Sequence, residues 1–281
     1  MPTITLSSSQ PFSLDQTLGC GQVFRWDHAE NGWWTGVVGN HIIRIRQDGS
    51  RIAYEGAPEK FIRHYFSFDH DLESILDSID HDPFIHAAID QCRGLRLIRQ
   101  PKWECLVSYI CSTNSNIPTI RRRIATIAGQ YGREIRLNNI TGYSFPEPFD
   151  LACSPDGLDG CKLGYRCDYV YKTAGIITDR KKWEKSITAM PYEAARKELM
   201  TLPGVGPKAA DCILLFAFEK HESFPVDVWI RRIMQQNYLK SMNTTAPLTH
   251  REYETIRGFA REHFGEYCGY AQEYLFGART G

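Results

Sequence analysis

A glycine-rich turn between two helical patterns constrains the fold of this chain more than any other segment. Residues 202–211 read Leu-Pro-Gly-Val-Gly-Pro-Lys-Ala-Ala-Asp, inside a stretch with helical spacing over residues 192–218. Gly204 and Gly206 allow the backbone to approach another chain closely, and the proline that follows suits the first turn of a helix. The stretch predicts two helices joined by a hairpin whose amides can hold a phosphate, although the same pattern also fits an ordinary corner between helices.

Lys208 lies in the first turn of the second predicted helix. The positive end of the helix dipole disfavours an ammonium there, and a neutral amine is the form that attacks a sugar carbon and makes a Schiff base. Asp227 stands where another predicted helix begins, and as that helix's N-cap it would have the commonest role of such an aspartate. The cap amides would also keep it ionised beside a reacting sugar. Together the two side chains predict a lysine nucleophile with a carboxylate partner.

Two hydrophobic patterns divide the rest of the chain. From Thr3 to about Glu55, short apolar runs separated by turn residues predict antiparallel strands, and after Pro58 apolar residues three or four apart predict helices. The predicted strands are Thr3–Leu6, Gln22–Trp26, Trp33–Val38 and His41–Arg46, with hairpin turns at 39–40 and 48–50. The predicted helices are Lys60–Phe66, Leu72–Ile79, Phe84–Cys92, Trp103–Cys111, Pro118–Tyr131, Tyr192–Met200, Lys208–Phe218, Val228–Gln236, His250–Phe264 and Gly269–Phe276.

These patterns predict an α+β fold. We expect a small antiparallel sheet domain with helices over residues 1–92, followed by a two-lobed, mostly α-helical body over residues 93–281 that contains the helix-hairpin-helix. Residues 146–160 are rich in Pro, Gly and Asp, which predicts a long surface connection between helical segments.

Composition excludes several classes of protein. Hydrophobic residues make up 42% of the 281 residues, enough for a sizeable core, and no apolar run is long enough to cross a bilayer. The N-terminus lacks the basic and apolar parts of a secretion signal.

Nine cysteines without Cys-x2-Cys spacing predict reduced thiols rather than disulfides or a metal cluster, and Cys153, Cys161 and Cys167 come closest to such a cluster. We expect a monomeric cytoplasmic, nucleoid or nuclear protein without a cofactor.

The distribution of charge is more informative than its sum. The formal net charge is zero, which argues weakly against a nucleic-acid partner, yet residues 93–136 carry nine Lys or Arg against two Glu. The run Arg121, Arg122, Arg123 fits either a DNA-binding surface or an ordinary solvated helix face.

Several segments, taken in order, resemble a known family. The hairpin with Lys208 and the downstream Pro-Val-Asp resemble the helix-hairpin-helix DNA glycosylase superfamily, whose bifunctional glycosylase/lyase members carry such a lysine. Four further segments narrow the resemblance to 8-oxoguanine DNA glycosylase: Gly21–Trp26, Ile110–Ile117, Leu163–Arg166 with Tyr169-Val170, and Ala271–Phe276. The resemblance spans most of the chain.

The resemblance implies base-excision repair of duplex DNA that contains oxidised guanine. The damaged nucleotide is flipped into a pocket. Lys208 then attacks the anomeric carbon and stays attached as an imine, while Asp227 stabilises the positive charge on the sugar. Elimination at the 3′ phosphate nicks the strand.

The resemblance also assigns the residues that recognise the base. The carbonyl of Gly21 accepts the N7 hydrogen that 8-oxoguanine has and guanine lacks. Gln272 binds the Watson-Crick edge, and Phe276 stacks on one face of the base. Cys212, one turn after Lys208 on the same helix face, takes the other face as a thiolate beside an ammonium.

Other residues are implied to contact DNA around the flipped base. Asn114 and Arg166 would contact the cytosine opposite the lesion, and Tyr165 would act as a wedge near the gap. The hairpin amides at Gly204 and Gly206 would hold a phosphate. By analogy, a monovalent cation could bind the hairpin carbonyls, which are those of Met200, Leu202 and Val205.

Three other functions fit part of the pattern. A related glycosylase acting on a different base would not need the residues matched at Gly21, Gln272 and Phe276. A non-catalytic DNA-binding module would need neither Lys208 nor Asp227. A metal-dependent nuclease would require a cluster of carboxylates that the sequence does not suggest.

Three positions depart from the best-known eukaryotic members of the family. Thr119 stands where they use a second arginine to read the opposite cytosine. Trp229 replaces a histidine that contacts a phosphate. Cys20 replaces a serine before Gly21, which should matter little because the contact expected there comes from the backbone.

Thr119 leads to a testable expectation, because threonine cannot offer the paired donors of an arginine to a cytosine. We predict comparable excision of the lesion opposite cytosine and opposite adenine, measured on two duplexes that differ only at that base. A preference for cytosine on the order of several hundredfold would contradict the prediction.

Overall fold

The computed structural model describes residues 1–7, 9–154, 156–242 and 247–280, and its N-terminal part is a five-stranded antiparallel sheet in the order β1-β5-β4-β3-β2. The strands are β1 (Thr3–Thr5), β2 (Trp26–His28), β3 (Trp34–Val38), β4 (His41–Asp48) and β5 (Arg51–Glu55). Ile43, Ile45 and Ile52 are fully buried in the core against the sheet, as suits β-branched residues on a packed face. Gly39 and Gly49 each have a φ of 57°, which confirms the predicted hairpin turns.

The predicted strand at Gln22–Trp26 is wrong except for its last residue. The chain there forms bends before β2, because the buried side chain of Gln22, and not a neighbouring strand, bonds the main chain of other segments. Its amide nitrogen donates to the carbonyls of Thr17 and Arg96, both at 2.9 Å, and its oxygen accepts from the N–H of Ile98. These bonds fix the backbone on both sides of Gly21.

The remainder is mostly helical, which confirms the predicted α+β class. The helices are α1 (Leu14–Gly19), α2 (Glu59–Tyr65), α3 (Leu72–Ile79), α4 (Pro83–Gln91), α5 (Lys102–Ser112), α6 (Ile117–Tyr131), α7 (Pro148–Ala152), α8 (Arg166–Asp179), α9 (Trp183–Ala189), α10 (Tyr192–Leu199), α11 (Pro207–Phe218), α12 (Val228–Asn237), α13 (His250–Phe264) and α14 (Cys268–Gly277). Within the described parts of the chain, no helix is both long and apolar enough to cross a membrane.

Some elements are absent from the sequence prediction. Four helices were not expected (α1, α7, α8 and α9), nor was a hairpin of β6 (Glu134–Leu137) and β7 (Ile140–Tyr143). The region 146–160 is more than a surface connection, because it contains α7 and begins a 3-10 turn, and Leu151 and Leu158 are fully buried. These elements are short or only partly apolar, so their hydrophobic periodicity is weak.

Two apolar cores occupy the described chain. One lies against the sheet and includes Tyr65 of α2, and the other fills the helical body and includes Leu72 of α3. Helices α3 and α4 pack against α14 in the second core, whereas Ile98 belongs to the first, so the chain passes between the two cores more than once. The sequence-based boundary after Cys92 stays a prediction. Cys20 and Phe24 belong to the second core, and the bends between them therefore extend from the sheet into the body.

A buried carboxylate connects the helix-hairpin-helix to the rest of the body. Asp211 of α11 is fully buried, and its Oδ1 accepts from the Tyr192 hydroxyl at 2.6 Å and from the Arg196 guanidinium at 2.9 Å. Its Oδ2 accepts from the Tyr253 hydroxyl at 2.6 Å. Tyr192 and Arg196 lie on α10 and Tyr253 on α13, so a single side chain sets the relative position of three helices.

Replacing this carboxylate should destabilise the fold strongly. We predict that Asp211→Ala lowers the free energy of unfolding by about 3–5 kcal/mol, because two buried hydroxyls lose their acceptor and the buried Arg196 guanidinium keeps only Glu254 as a carboxylate partner. Urea unfolding measures the loss. Lys172→Ala, which removes an exposed ion pair with Asp168, is the matched control and should cost less than about 1 kcal/mol. Equal losses in the two variants would contradict the prediction.

Candidate active site

The hairpin between α10 and α11 is built from backbone. Gly204 has a φ of 80°, and a Cβ there would lie 2.8 Å from Cδ2 of Tyr169. Helix α8 therefore packs directly against the turn, and Thr173 of α8 donates to the carbonyl of Pro203 at 3.1 Å. Gly206 is the N-cap of α11, has no side chain to cap the first amides, and has open space where a Cβ would be. The first turn of α11 can therefore offer its N–H groups to a phosphate.

Lys208 and Asp227 lie together where two depressions meet. Both line an open groove of about 1030 Å³, and both also line a smaller cavity of about 140 Å³ behind it. The Lys208 Nζ lies 4.9 Å from the ring centroid of Tyr109. Asp227 caps α12, and its Oδ1 accepts from the N–H of Ile230 at 2.8 Å. The cap interpretation of Asp227 is therefore confirmed, and its place beside Lys208 leaves the catalytic one open.

The small cavity brings together residues from five separate segments of the chain. Besides the lysine and the aspartate, it is lined by all four residues that were expected to hold the base: Gly21, Cys212, Gln272 and Phe276. Gly21 has a φ of 105°, and a Cβ on it would lie 2.9 Å from Cδ1 of Ile117. The side-chain oxygen of Gln272 is buried and has no hydrogen-bond partner among the described residues. The cavity therefore contains an unused acceptor.

Cys212 differs from its expected charge state. Burial raises the pKa of the Cys212 thiol to about 12, although the neighbouring Lys208 lowers it. Burial therefore favours the neutral thiol over the thiolate that the sequence suggested. The lysine is one turn away, but removing the thiol from water outweighs its charge.

The open groove contains most of the residues that were expected to contact DNA. They are Asn114, Tyr165, Gly204, Gly206 and the three residues with candidate cation-binding carbonyls, Met200, Leu202 and Val205. Asn114 has a left-handed φ of 49°, and its Nδ2 donates to the hydroxyl of Tyr165 at 3.3 Å. Tyr165 is 52% exposed, as a wedge must be. Exposed Trp229 also lines the groove.

Arg166 does not line the open groove. It is buried, and its guanidinium donates to the carbonyl of Thr113 at 3.0 Å and to that of Leu163 at 3.3 Å. Its Cζ lies 4.3 Å from the ring centroid of Tyr165. In this conformation the guanidinium is bound to main-chain carbonyls and orients the tyrosine, and reading a cytosine would require it to leave them.

The Arg121–Arg123 run also has intramolecular contacts. Arg121 donates to the carbonyl of Trp26 and pairs with Asp27, and Arg123 donates to the carbonyl of Cys111 at 3.0 Å. Two of the three arginines therefore attach α6 to other segments, which neither of the two sequence interpretations anticipated.

Glu273 was missed by the sequence argument. It lines the small cavity next to Gln272, its side chain is buried, and burial raises the pKa of its carboxyl to about 7. A signal was present, because Glu273 is the single charged residue between Cys268 and Gly277, in a helix that is otherwise mostly apolar. A buried carboxyl with a raised pKa that lines a cavity is a feature of functional sites.

One group outside the cavity has the side-chain types of a metal site. His70, Glu219 and His221 each offer a ligand atom, and these atoms lie within 4.8 Å of one another. The Arg99 guanidinium lies 2.8 Å from Nε2 of His70 and 2.5 Å from the Glu219 carboxylate. The positive charge of Arg99 is therefore already present at this cluster, which favours an ion-pair network over a metal site.

Comparison with known proteins identifies the family of this chain. Residues 3–106 match the family described as the N-terminal domain of 8-oxoguanine DNA glycosylase, and residues 192–216 match the helix-hairpin-helix motif. The probable N-glycosylase/DNA lyase of Methanothermobacter thermautotrophicus is 34% identical over an alignment of 298 positions, which covers 94% of this chain and 92% of that protein. The chain belongs to the 8-oxoguanine DNA glycosylase/lyase family.

Solved structures extend this glycosylase assignment to the whole fold. The apo-form of the Clostridium acetobutylicum 8-oxoguanine glycosylase/lyase is 30% identical, with a TM-score of 0.89 over 99% of this chain and 96% of that one. The same enzyme with double-stranded DNA containing cytosine opposite 8-oxoguanine has a TM-score of 0.87, again at 30% identity, over 95% of this chain and 91% of that one.

The hairpin of this glycosylase supplies a matched pair of glycine variants. We predict that Gly204→Ala destabilises the protein by about 2 kcal/mol or more, because alanine at a positive φ is strained and its Cβ would collide with Tyr169. Gly206→Ala should change stability by less than about 1 kcal/mol, since its φ is negative and its Cβ would enter open space. Thermal unfolding compares the two, and a larger loss at Gly206 would contradict the prediction.

Proposed function

We propose that this glycosylase removes 8-oxoguanine from duplex DNA with Lys208 as its nucleophile and then nicks the strand. One observation carries the proposal: Lys208 and Asp227 lie at the boundary between an open groove and a cavity lined by the expected base-binding residues. A flipped nucleotide that enters the cavity base-first would place its sugar at that boundary.

The chemistry at the boundary follows from the two side chains. The Lys208 nitrogen forms a bond to C1′, the bond from C1′ to the base breaks, and its electron pair leaves with the base. Asp227 offers a carboxylate to the positive charge that develops on the sugar. Opening of the sugar ring then leaves an imine between the lysine and C1′. The imine makes the C2′ proton acidic, and loss of that proton expels the 3′ phosphate.

Recognition of the base would use both backbone and side chains. The Gly21 carbonyl is the acceptor proposed for the N7 hydrogen of 8-oxoguanine, and the buried bonds of Gln22 support the fixed position it needs. The unpartnered oxygen of Gln272 would accept from the Watson-Crick edge. Phe276 and the neutral thiol of Cys212 would take the two faces of the base.

Around the flipped base, the proposal places the DNA duplex along the open groove. The amides that begin α11 would hold a phosphate, and the exposed ring of Tyr165 would fill the stack beside Asn114. The carbonyls of Met200, Leu202 and Val205 stay candidates for a monovalent cation. We also propose that the protein acts as a monomer, and that it acts where genomic DNA lies, in the cytoplasm and nucleoid or in a nucleus.

Covalent trapping tests the nucleophile and the substrate together. With one 8-oxoguanine opposite cytosine in a duplex, borohydride should trap a protein-DNA adduct with the wild-type chain and none with Lys208→Gln. Asp227→Asn is the second variant. Asparagine is as good an N-cap as aspartate, so this variant should unfold at the wild-type temperature while trapping at least about a hundredfold more slowly. An adduct that survives Lys208→Gln would assign the nucleophile elsewhere.

A further inference from the structure

Glu273 is a buried acid that the mechanism above leaves unused. Its side chain lines the small cavity beside Gln272, and only 3% of the residue is exposed to solvent. Its Oε2 has no hydrogen-bond partner among the described residues. A buried polar atom without a partner is costly, and a site built to bind a polar ligand is a common reason to retain one.

The surroundings of Glu273 contain few charges. Charged groups act on it from three other segments: Lys208 of α11, Asp227 at the start of α12, and Arg279 after α14. The other titratable groups that face it are neutral at physiological pH because burial raises the pKa of each, and these are Cys20, Cys92, Tyr109 and Cys212. The Cys20 thiol makes a hydrogen bond with the carboxyl. Among the residues that the structure describes, Glu273 has no ion pair of the kind that Arg25 makes with Glu104.

The reaction places a further demand on this position. When the bond from C1′ to the base breaks, its electron pair stays on the base, and negative charge develops inside the cavity. A carboxylate there would repel that charge, whereas a protonated carboxyl would donate a hydrogen bond to it.

We propose that Glu273 contacts the flipped base as a neutral hydrogen-bond donor, so that excision requires its protonated form. The proposal rests on the function proposed above, because it needs the base to occupy this cavity. The proposal also explains why an acid is present among neutral groups. The carboxyl is protonated before the base arrives, and the protonated carboxyl is the form that the departing base needs. The proton stays on Glu273, and the nitrogen of Lys208 loses its own proton to solvent.

The pH dependence of excision tests the proposal. Since the pKa of Glu273 is raised to about 7, the wild-type single-turnover rate should fall as the pH rises from about 6 to about 8.5. Glu273→Gln keeps a neutral donor at every pH, so its rate should not fall over this range and should exceed the wild-type rate about tenfold or more at the alkaline end.

A matched control is available in Glu104. Burial also raises the pKa of its carboxyl, but it lies outside the small cavity and pairs with Arg25 at 3.2 Å. Glu104→Gln should therefore retain the wild-type pH profile. A profile that changes equally in both variants would reflect buried charge in general and would overturn the proposal.

Thermal unfolding shows independently whether Glu273 titrates. A folded-state pKa above the unfolded value means that ionisation destabilises the fold, so stability is lost as the pH rises from about 4.5 to about 7. Glu273→Gln should thus raise the unfolding temperature more at about pH 8 than at about pH 5.

Each remaining outcome is decisive. A Glu273→Gln variant with the wild-type alkaline decline, a wild-type rate without any decline, or a variant that is inactive at every pH would overturn the role of the neutral donor. Failure of the wild-type protein to excise 8-oxoguanine at any pH would instead contradict the proposed function itself.

Discussion

The buried carboxylate of Asp211 is the interaction on which the active site depends. It lies on α11 three residues after Lys208, and it binds two side chains of α10 and one of α13. Because these bonds fix the direction of α11, they also fix the first turn from which the lysine projects. The Tyr253 hydroxyl that binds Asp211 also accepts from the N–H of Val226, immediately before Asp227. One buried group thus positions both the nucleophile and the carboxylate.

The parts of the site that are local in sequence could be predicted from the sequence. The hairpin glycines, the lysine after a proline and the aspartate at a helix start are each read within a few residues, and the structure brings them together. The strand expected at Gln22–Trp26 failed for the opposite reason. Its backbone is held by groups as distant as Arg96 and Ile98, and no local pattern reports such partners.

Charge states were predicted less well than positions. The sequence argument gave Cys212 a thiolate because a lysine lies one turn away, but the pKa of a buried thiol depends on how much water is removed from it. The hydrogen-bond partners of Arg166 were also not predicted. An arginine in this segment suggests contact with a base, whereas in the structure its guanidinium donates to three main-chain carbonyls. The neighbouring residues that set these charge states and hydrogen bonds come from other segments of the chain. Glu273 was overlooked because its role depends on the cavity and not on its own segment.

The distribution of charge across the site separates the two halves of the reaction. Lys208 and Asp227 line both the open groove and the small cavity, so they stand at the boundary where the sugar would acquire positive charge. The interior is lined by neutral groups, including the thiol of Cys212 and the phenol of Tyr109. Apart from Lys208, the described residues that line the cavity include no cation, so a base that leaves with an electron pair would otherwise face neutral groups there. Stabilising that charge then requires a neutral donor, and Glu273 is the acidic group that the fold holds there.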